Sequence, residues 1–340
     1  MVFHEVGQPL SLEKVSVPSL QPGEALVRIT CCTICGSDIH TFDGDREGPT
    51  PSILGHEIIG VIEELGSEDI LDVGQQAIRK GDRVTWSVAA SCHFCRRCND
   101  GMPQKCESLL KYGHERLSDD VGPNGGLANY CVLKSGSSIV RLQNDIADEV
   151  LCPANCATAT VAAAVRTAGS LQNKRVLIFG AGMLGLTATA FAKTRQASEI
   201  FVCDVDTSRL ARAREFGATA TGATPDGEFD VILELSGSPI AVESAIDRAD
   251  LGGTIVLVGS VFPTRAAAVD PEQVVRQLLS IHGVHNYRPE DLSTAVEFLQ
   301  EHHAAYPFSQ LVEKTFALEK ANEAFQYAVD HRPIRVAIVP

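Results

Sequence analysis

The sequence predicts an α/β protein of two domains, a β-rich one and one built on a doubly wound parallel sheet. Three observations predict it. Up to about residue 145, short apolar stretches alternate with turns marked by glycine and proline, and no long helical period is present. Beyond that point strand-like and helix-like stretches alternate, the pattern of a parallel sheet covered on both faces. The 340 residues, 44% hydrophobic and 21% charged, suffice for two separate cores.

In order, residues 10–17 (LSLEKVSV) and 25–30 (ALVRIT) read as strands on either side of a turn at Pro22 and Gly23. Residues 53–65 (ILGHEIIGVIEEL) form an apolar segment whose embedded glycines mark a bulge or a close backbone approach. Residues 80–88 (KGDRVTWSV) read as a turn and a strand, and residues 125–133 (GGLANYCVL) return to strand character. The Ala- and Thr-rich residues 153–168 read as one helix. Strands are then predicted over 174–180, 199–204, 229–237 and 253–260, with helices over 183–195, 207–216 and 240–249 between them. The tail holds a helix over 289–301 and short strands ending in RVAIV. The expected division is residues 1–150 for the first domain, 151–283 for the second, and 284–340 returning to the first.

Two groups of side chains carry metal chemistry. Cys92, Cys95, Cys98 and Cys106 follow a C-x2-C-x2-C-x7-C spacing. Four thiolates this close together close a tetrahedral zinc site with no open position, which is a structural site. The stretch at residues 35–57 holds Cys35, Ser37, Asp38, His40, His56 and Glu57. A catalytic zinc needs three protein ligands and one open position. Cys35 and His56 supply two, and the candidate for the third is Cys156, with Cys152 as the runner-up.

A third signal is Gly180-Ala181-Gly182-Met183-Leu184-Gly185, a G-x-G-x-x-G run directly after one predicted strand and opening a helix. Its glycines allow the tight turn and close approach that a dinucleotide pyrophosphate needs at a helix N-terminus. Asp204, at the end of the next strand, is placed to accept from the adenosine ribose hydroxyls and to repel a 2′-phosphate, which favours NAD over NADP. Arg209 reads either as a ribose or diphosphate contact or as a solvated helix residue.

Composition narrows the partners. A formal net charge of −14 disfavours nucleic acid and anionic membranes. The first residues, MVFHEVGQPL, lack a basic region followed by an apolar run, so no secretory signal is expected, and no apolar run approaches a membrane span. Eleven cysteines, an odd number, fit reduced thiols and metal ligands in the cytoplasm better than a disulfide framework. Cysteines 31, 32, 131, 152 and 203, outside both metal groups, are expected to be buried as small apolar residues.

Taken together, CGSDIH at 35–40, GHE at 55–57, GDRV at 81–84, the cysteine lobe (about 91–107), GGLANY at 125–130 and GAGMLG at 180–185 resemble the zinc-dependent medium-chain dehydrogenases, such as alcohol, sorbitol and threonine dehydrogenases. The resemblance spans essentially the whole chain. It implies a GroES-like catalytic domain and a Rossmann domain, with zinc and nicotinamide in a cleft between them, and a homodimer or homotetramer. It also implies two zinc ions per subunit, one catalytic and one structural. Cys156 matches the family's third catalytic ligand, and Glu57 matches an acid that approaches or orients the zinc. Ser37 and His40 match a proton relay through the nicotinamide ribose. The implied reaction is hydride transfer between an alcohol and NAD. RVTWSVAASC, GMPQKCESLLKYGHE and PANCATATVAAA look more closely like the phosphonate-catabolism-associated alcohol dehydrogenases, implying a substrate such as 2-hydroxyethylphosphonate. A general secondary-alcohol or polyol dehydrogenase and a zinc- and NAD-binding regulatory protein without turnover are the other readings. Ser87 and Val88, with Trp86 nearby, are expected to line the substrate pocket. Lys111, Tyr112, His114 and residues 285–288 offer groups for an anionic head.

Overall fold

The computed structural model describes residues 1–340 and divides into two compact units. The first comprises Met1–Ala159, Arg288–Ala304 and Phe308–Pro340, and the second Thr160–Tyr287 with Ala305–Pro307. The first boundary, after Ala159 and not after residue 150, therefore falls inside the stretch read as one helix.

In the first unit, strands β1 (Ala25–Ile34), β2 (Glu57–Leu65), β3 (Arg83–Ala90), β4 (Leu110–Lys111), β5 (Tyr130–Leu133) and β6 (Ser137–Arg141) come first in the chain. The second unit supplies β7 (Arg175–Phe179), β8 (Glu199–Cys203), β9 (Ala220–Gly222), β10 (Phe229–Glu234), β11 (Ala249–Leu257) and β12 (Ser280–Gly283). The returning tail adds β13 (Val312–Ala317) and β14 (Arg335–Val339). The first sheet runs β13-β14-β1-β2-β3-β4, with β5 on β1 and β6 on β3, and is antiparallel except for the β13–β14 pair. Its core centres on Ile58, Trp86, Tyr112 and Phe325.

Residues 10–17 do not form the expected strand. They offer one bridge, Ser11 to Val2; Leu10 is buried and Val15 packs on the core, while Leu12 and Val17 are exposed, so the segment lies against the core without a ladder of its own. Helix α1 (Gly36–Asp43) lies where the sequence reading placed no helix. The small and polar residues of its first turn suit an N-terminus as well as a loop. Residues 153–168 are not one helix either. A 3₁₀ turn, Cys152–Asn155, is followed by Cys156 at φ −131° and ψ −80°, and only then by α2 (Ala157–Ala168). Helix α3 (Ala321–His331), absent from the sequence reading, packs on β13 and β14, and its Phe325 meets Phe42 of α1 with ring centroids 4.8 Å apart.

In the second unit all six strands are parallel, in the order β12-β11-β10-β7-β8-β9. The order reverses between β7 and β10, the point where doubly wound sheets bind ligands at their C-terminal ends. No helix is long and apolar enough to cross a membrane. All five cysteines expected to be buried are buried.

Candidate active site

Cys35 follows β1 and immediately precedes α1, His56 precedes β2, and Cys156 sits at the break before α2. Their ligand atoms lie within 4.8 Å of one another. Cys156 Sγ is 3.3 Å from His56 Nε2, close to the roughly 3.5 Å separating a thiolate and an imidazole on one tetrahedral zinc. Cys152 is excluded. Its thiol points to the backbone carbonyls of Glu57 at 3.1 Å and Cys31 at 3.5 Å, away from the triad.

The buried Asp38 sets the orientation of two ligands at once. Its Oδ2 accepts the Cys35 N–H at 2.9 Å, while Oδ1 faces His56 Nδ1 at 3.0 Å and accepts the Gly55 N–H at 3.2 Å. With Nδ1 held by a carboxylate, Nε2 is left for a metal, the usual arrangement at histidine-ligated sites. Burial opposes charge on this ring, but Asp38 overrides it and pushes the His56 pKa up to about 10. Of the two thiols Cys35 ionises first. The hydrogen bond from Cys156 holds it well below the ordinary thiol range, against burial, and the Arg335 charge adds to this. Donating that bond pushes Cys156 well up, and burial adds to the shift.

Glu57 is fully buried and held on both oxygens. Arg335, from β14, donates Nε to Oε2 and Nη2 to Oε1, each at 2.8 Å, and Thr33 Oγ1 donates at 2.6 Å. Arg335 Nη2 also reaches Cys35 Sγ at 3.5 Å. Sequence reasoning missed Arg335 because it lies 278 positions from Glu57 in an ordinary-looking strand. It also missed Asn155, which is buried and donates Nδ2 to the His56 carbonyl at 3.0 Å and the Trp86 carbonyl at 2.8 Å, fixing the turn that carries Cys156.

Ser37 Oγ lies 3.4 Å from His56 Nε2, at the triad. His40, one turn further along α1, is part-exposed with Nδ1 3.1 Å from Asp45. Ser87 spends its hydroxyl on backbone groups, donating to the Ala89 carbonyl at 2.6 Å and accepting from Ser138 N–H at 3.2 Å. Trp86 is fully buried against Tyr112.

In the cysteine lobe the four sulfur atoms also fall within 4.8 Å of one another, with Cys106 to Cys92 at 3.4 Å, Cys95 to Cys106 at 3.9 Å and Cys92 to Cys98 at 4.0 Å. The edge of a zinc–tetrathiolate tetrahedron is about 3.8 Å. Backbone N–H groups of Cys92 and Cys95 already donate to sulfur, at 3.2 Å and 3.3 Å.

In the second unit the G-x-G-x-x-G run leads from β7 into the helix Met183–Thr194. A Cβ on Gly185 would come 1.8 Å from the Gly180 carbonyl oxygen, so this glycine permits the helix to sit on the strand end. Around Gly182 the nearest atom to such a Cβ is Arg209 Nη1 at 4.0 Å, and no side chain caps the helix that Gly182 precedes. That leaves Met183 and Leu184 N–H groups facing an open approach, which suits a pyrophosphate. Asp204 Oδ2 accepts the Ala181 N–H at 2.6 Å and Oδ1 the Asp206 N–H at 2.8 Å. The cap of the next helix is Asp206, not Asp204.

An alcohol dehydrogenase GroES-like domain model matches residues 21–144, and a zinc-binding dehydrogenase model matches residues 184–301. An L-threonine 3-dehydrogenase of Paraburkholderia phymatum is 30% identical over 336 residues, covering 93% of this chain and 92% of that protein. The chain belongs to the zinc-dependent medium-chain dehydrogenases. Among other relatives of this dehydrogenase, a 5-exo-hydroxycamphor dehydrogenase of Pseudomonas putida is 28% identical, covering 90% of this chain and 88% of its own. An alcohol dehydrogenase structure from Thermotoga maritima superposes with a TM-score of 0.94 at 25% identity, covering 100% of this chain and 98% of its own. The chain is thus a zinc-dependent dehydrogenase of the alcohol and polyol class.

Proposed function

We propose that this dehydrogenase transfers a hydride between NAD and an alcohol bearing a phosphonate group, such as 2-hydroxyethylphosphonate. The observation that carries the reaction type is the Cys35, His56 and Cys156 triad, two thiols and a carboxylate-oriented imidazole within 4.8 Å. These three residues hold the catalytic zinc, and Cys92, Cys95, Cys98 and Cys106 the structural one. Zinc in such a site supplies Lewis acidity to an alcohol or carbonyl oxygen. Ser37, beside His56, would relay the hydroxyl proton and His40 would pass it to water, while bound NAD would supply the hydride acceptor. Glu57 acts through Arg335, holding the guanidinium against Cys35. Gly180, Gly182, Met183, Leu184 and Gly185 receive the pyrophosphate. Asp204, at the end of β8, would accept from the adenosine ribose hydroxyls, with Arg209 as a further contact. The substrate class is supported by the sequence likeness to the phosphonate-associated subgroup.

The threonine and hydroxycamphor dehydrogenases among the relatives favour a second reading, a general secondary-alcohol or polyol dehydrogenase. NADH formation followed by absorbance across phosphonate-bearing, primary, secondary and polyol alcohols separates the two, with NADP in parallel. Selective turnover of 2-hydroxyethylphosphonate with NAD is the expected result. Broad turnover of neutral alcohols overturns the phosphonate assignment, and no turnover of any alcohol favours a binding protein. A homodimer or homotetramer is supported by β12, a sheet-edge strand exposed along its length, with Val275, Leu278 and Ile281 exposed on and beside it. Reduced, metal-ligating thiols fit a cytoplasmic location.

A further inference from the structure

Arg46, Lys111 and His114 have no part in the preceding roles, yet they gather at the triad. Lys111 ends β4, and the chain turns back at once, with His114 N–H donating to the Lys111 carbonyl at 3.1 Å. The third residue of the turn is Gly113 at φ 73°, a left-handed conformation that favours glycine. A Cβ there would also lie 2.5 Å from the Gly55 carbonyl oxygen. The turn therefore presses against the backbone that carries His56, and the His114 and His56 rings lie 5.0 Å apart. Tyr112 points the other way, into the core, where its hydroxyl accepts from Lys134 N–H at 2.9 Å. Arg46 arrives from the segment after α1, its N–H donating to the His40 carbonyl at 3.0 Å.

These groups lack the partners that half-buried basic side chains normally hold. His114 Nε2 is buried without a hydrogen-bond partner. No carboxylate forms an ion pair with Lys111 or Arg46. Glu115, on the same turn, accepts the Lys111 backbone N–H on its Oε1 at 3.0 Å. Burial and then the charge of Arg46 lower the Lys111 pKa, and burial lowers that of His114 with His56, Lys111 and Arg46 adding to it. In a chain of net charge −14, Arg46 and Lys111 form a local concentration of positive charge, with Cys156, Cys35 and Asp38 of the triad as the anionic groups that act on Lys111.

We infer that Arg46, Lys111 and His114 form a subsite for the tetrahedral oxyanion of the substrate, a phosphonate or phosphate ester, beside the triad that handles its hydroxyl. Arg46 and Lys111 supply charge and His114 Nε2–H a directed donor. The inference rests on the proposed reading of the triad as the reaction centre.

The test is calorimetric titration of the zinc-loaded enzyme with methylphosphonate, inorganic phosphate and acetate, in the native chain and in Lys111→Met, Lys111→Arg and Arg46→Met. The expected result is methylphosphonate or phosphate binding that weakens about tenfold or more in Lys111→Met and Arg46→Met and survives in Lys111→Arg. In parallel, the kcat/KM ratio of 2-hydroxyethylphosphonate to 1-propanol falls by a similar factor in the two Met variants. An anion held by the metal alone is untouched by Lys111→Met, and that result overturns the subsite. So does acetate binding as tightly as methylphosphonate, or a loss of NADH affinity in place of anion affinity. Anion binding that depends on Lys111, without oxidation of any phosphonate-bearing alcohol, supports the subsite and sinks the substrate reading. Oxidation of 2-hydroxyethylphosphonate undiminished in the variants sinks the subsite and leaves the substrate reading standing.

Discussion

The cysteine lobe and the triad both gather thiols within 4.8 Å, but they are assembled in opposite ways. The lobe draws all its sulfur atoms from residues 92–106 and holds them with its own backbone N–H groups, half exposed. The triad brings Cys35, His56 and Cys156 from three distant segments and surrounds them with buried acids, amides and a guanidinium. A site that only has to hold a metal can be a local chelate. One that must leave a position open has to have its geometry imposed by groups that bind no metal themselves.

Four variants break or sharpen this contrast. Cys156→Ala is expected to reduce kcat/KM by about 10⁴-fold, the several kcal/mol a Lewis acid contributes. The same variant loses one of two zinc ions by elemental analysis while keeping its far-ultraviolet circular dichroism; full metal content would remove Cys156 from the site. Arg335→Met strands the buried Glu57 carboxylate and is expected to cost roughly 3–5 kcal/mol in urea unfolding. Adding Glu57→Gln should recover part of that loss, and strictly additive penalties would show that the pair is not coupled. Cys98→Ser, which disables the lobe, is expected to lower Tm by roughly 5–10 °C and remove the other zinc. Turnover per folded molecule should stay close to the native value, and a fall as large as that of Cys156→Ala would erase the distinction between the sites. Asp38→Asn keeps the shape but weakens the hold on His56, so chelator competition should show zinc bound about 10- to 100-fold less tightly. Unchanged affinity would leave the Asp38–His56 contact without consequence for the metal.

How much of this was legible in the sequence follows the same contrast. The lobe could be read from spacing alone, because its ligands are local. The centre of the parallel sheet was legible because β7, β8, β10 and β11 are short apolar runs punctuated by helices, and the glycine run sits in the context its chemistry demands; the short edge strands β9 (ATG) and β12 (SIHG) carry no such run. The residues of the triad were recognisable by type, but the backbone break that turns Cys156 out of line was not. Ala and Thr on both sides of it favour a continuous helix, and the interruption comes from Asn155 tying the turn to the His56 and Trp86 carbonyls. Arg335 left no local signal, since its partner is supplied by tertiary structure. Lys111 and His114 were visible as basic groups, but only the approach of Gly113 to Gly55 puts them at the metal site.

The ion pair between Glu57 and Arg335 also bears on the order of events during synthesis. The ribosome has released every ligand of the lobe long before residue 335 exists, so the lobe can take up zinc while most of the chain is still unmade. The triad is different: its Cys35 thiolate lacks its guanidinium until β14 pairs with β1. Contacts this far apart in sequence form late. The triad is therefore expected to reach its full hold on a metal only once β14 is in place, whereas the lobe can close on its ion from residues 92–106 alone.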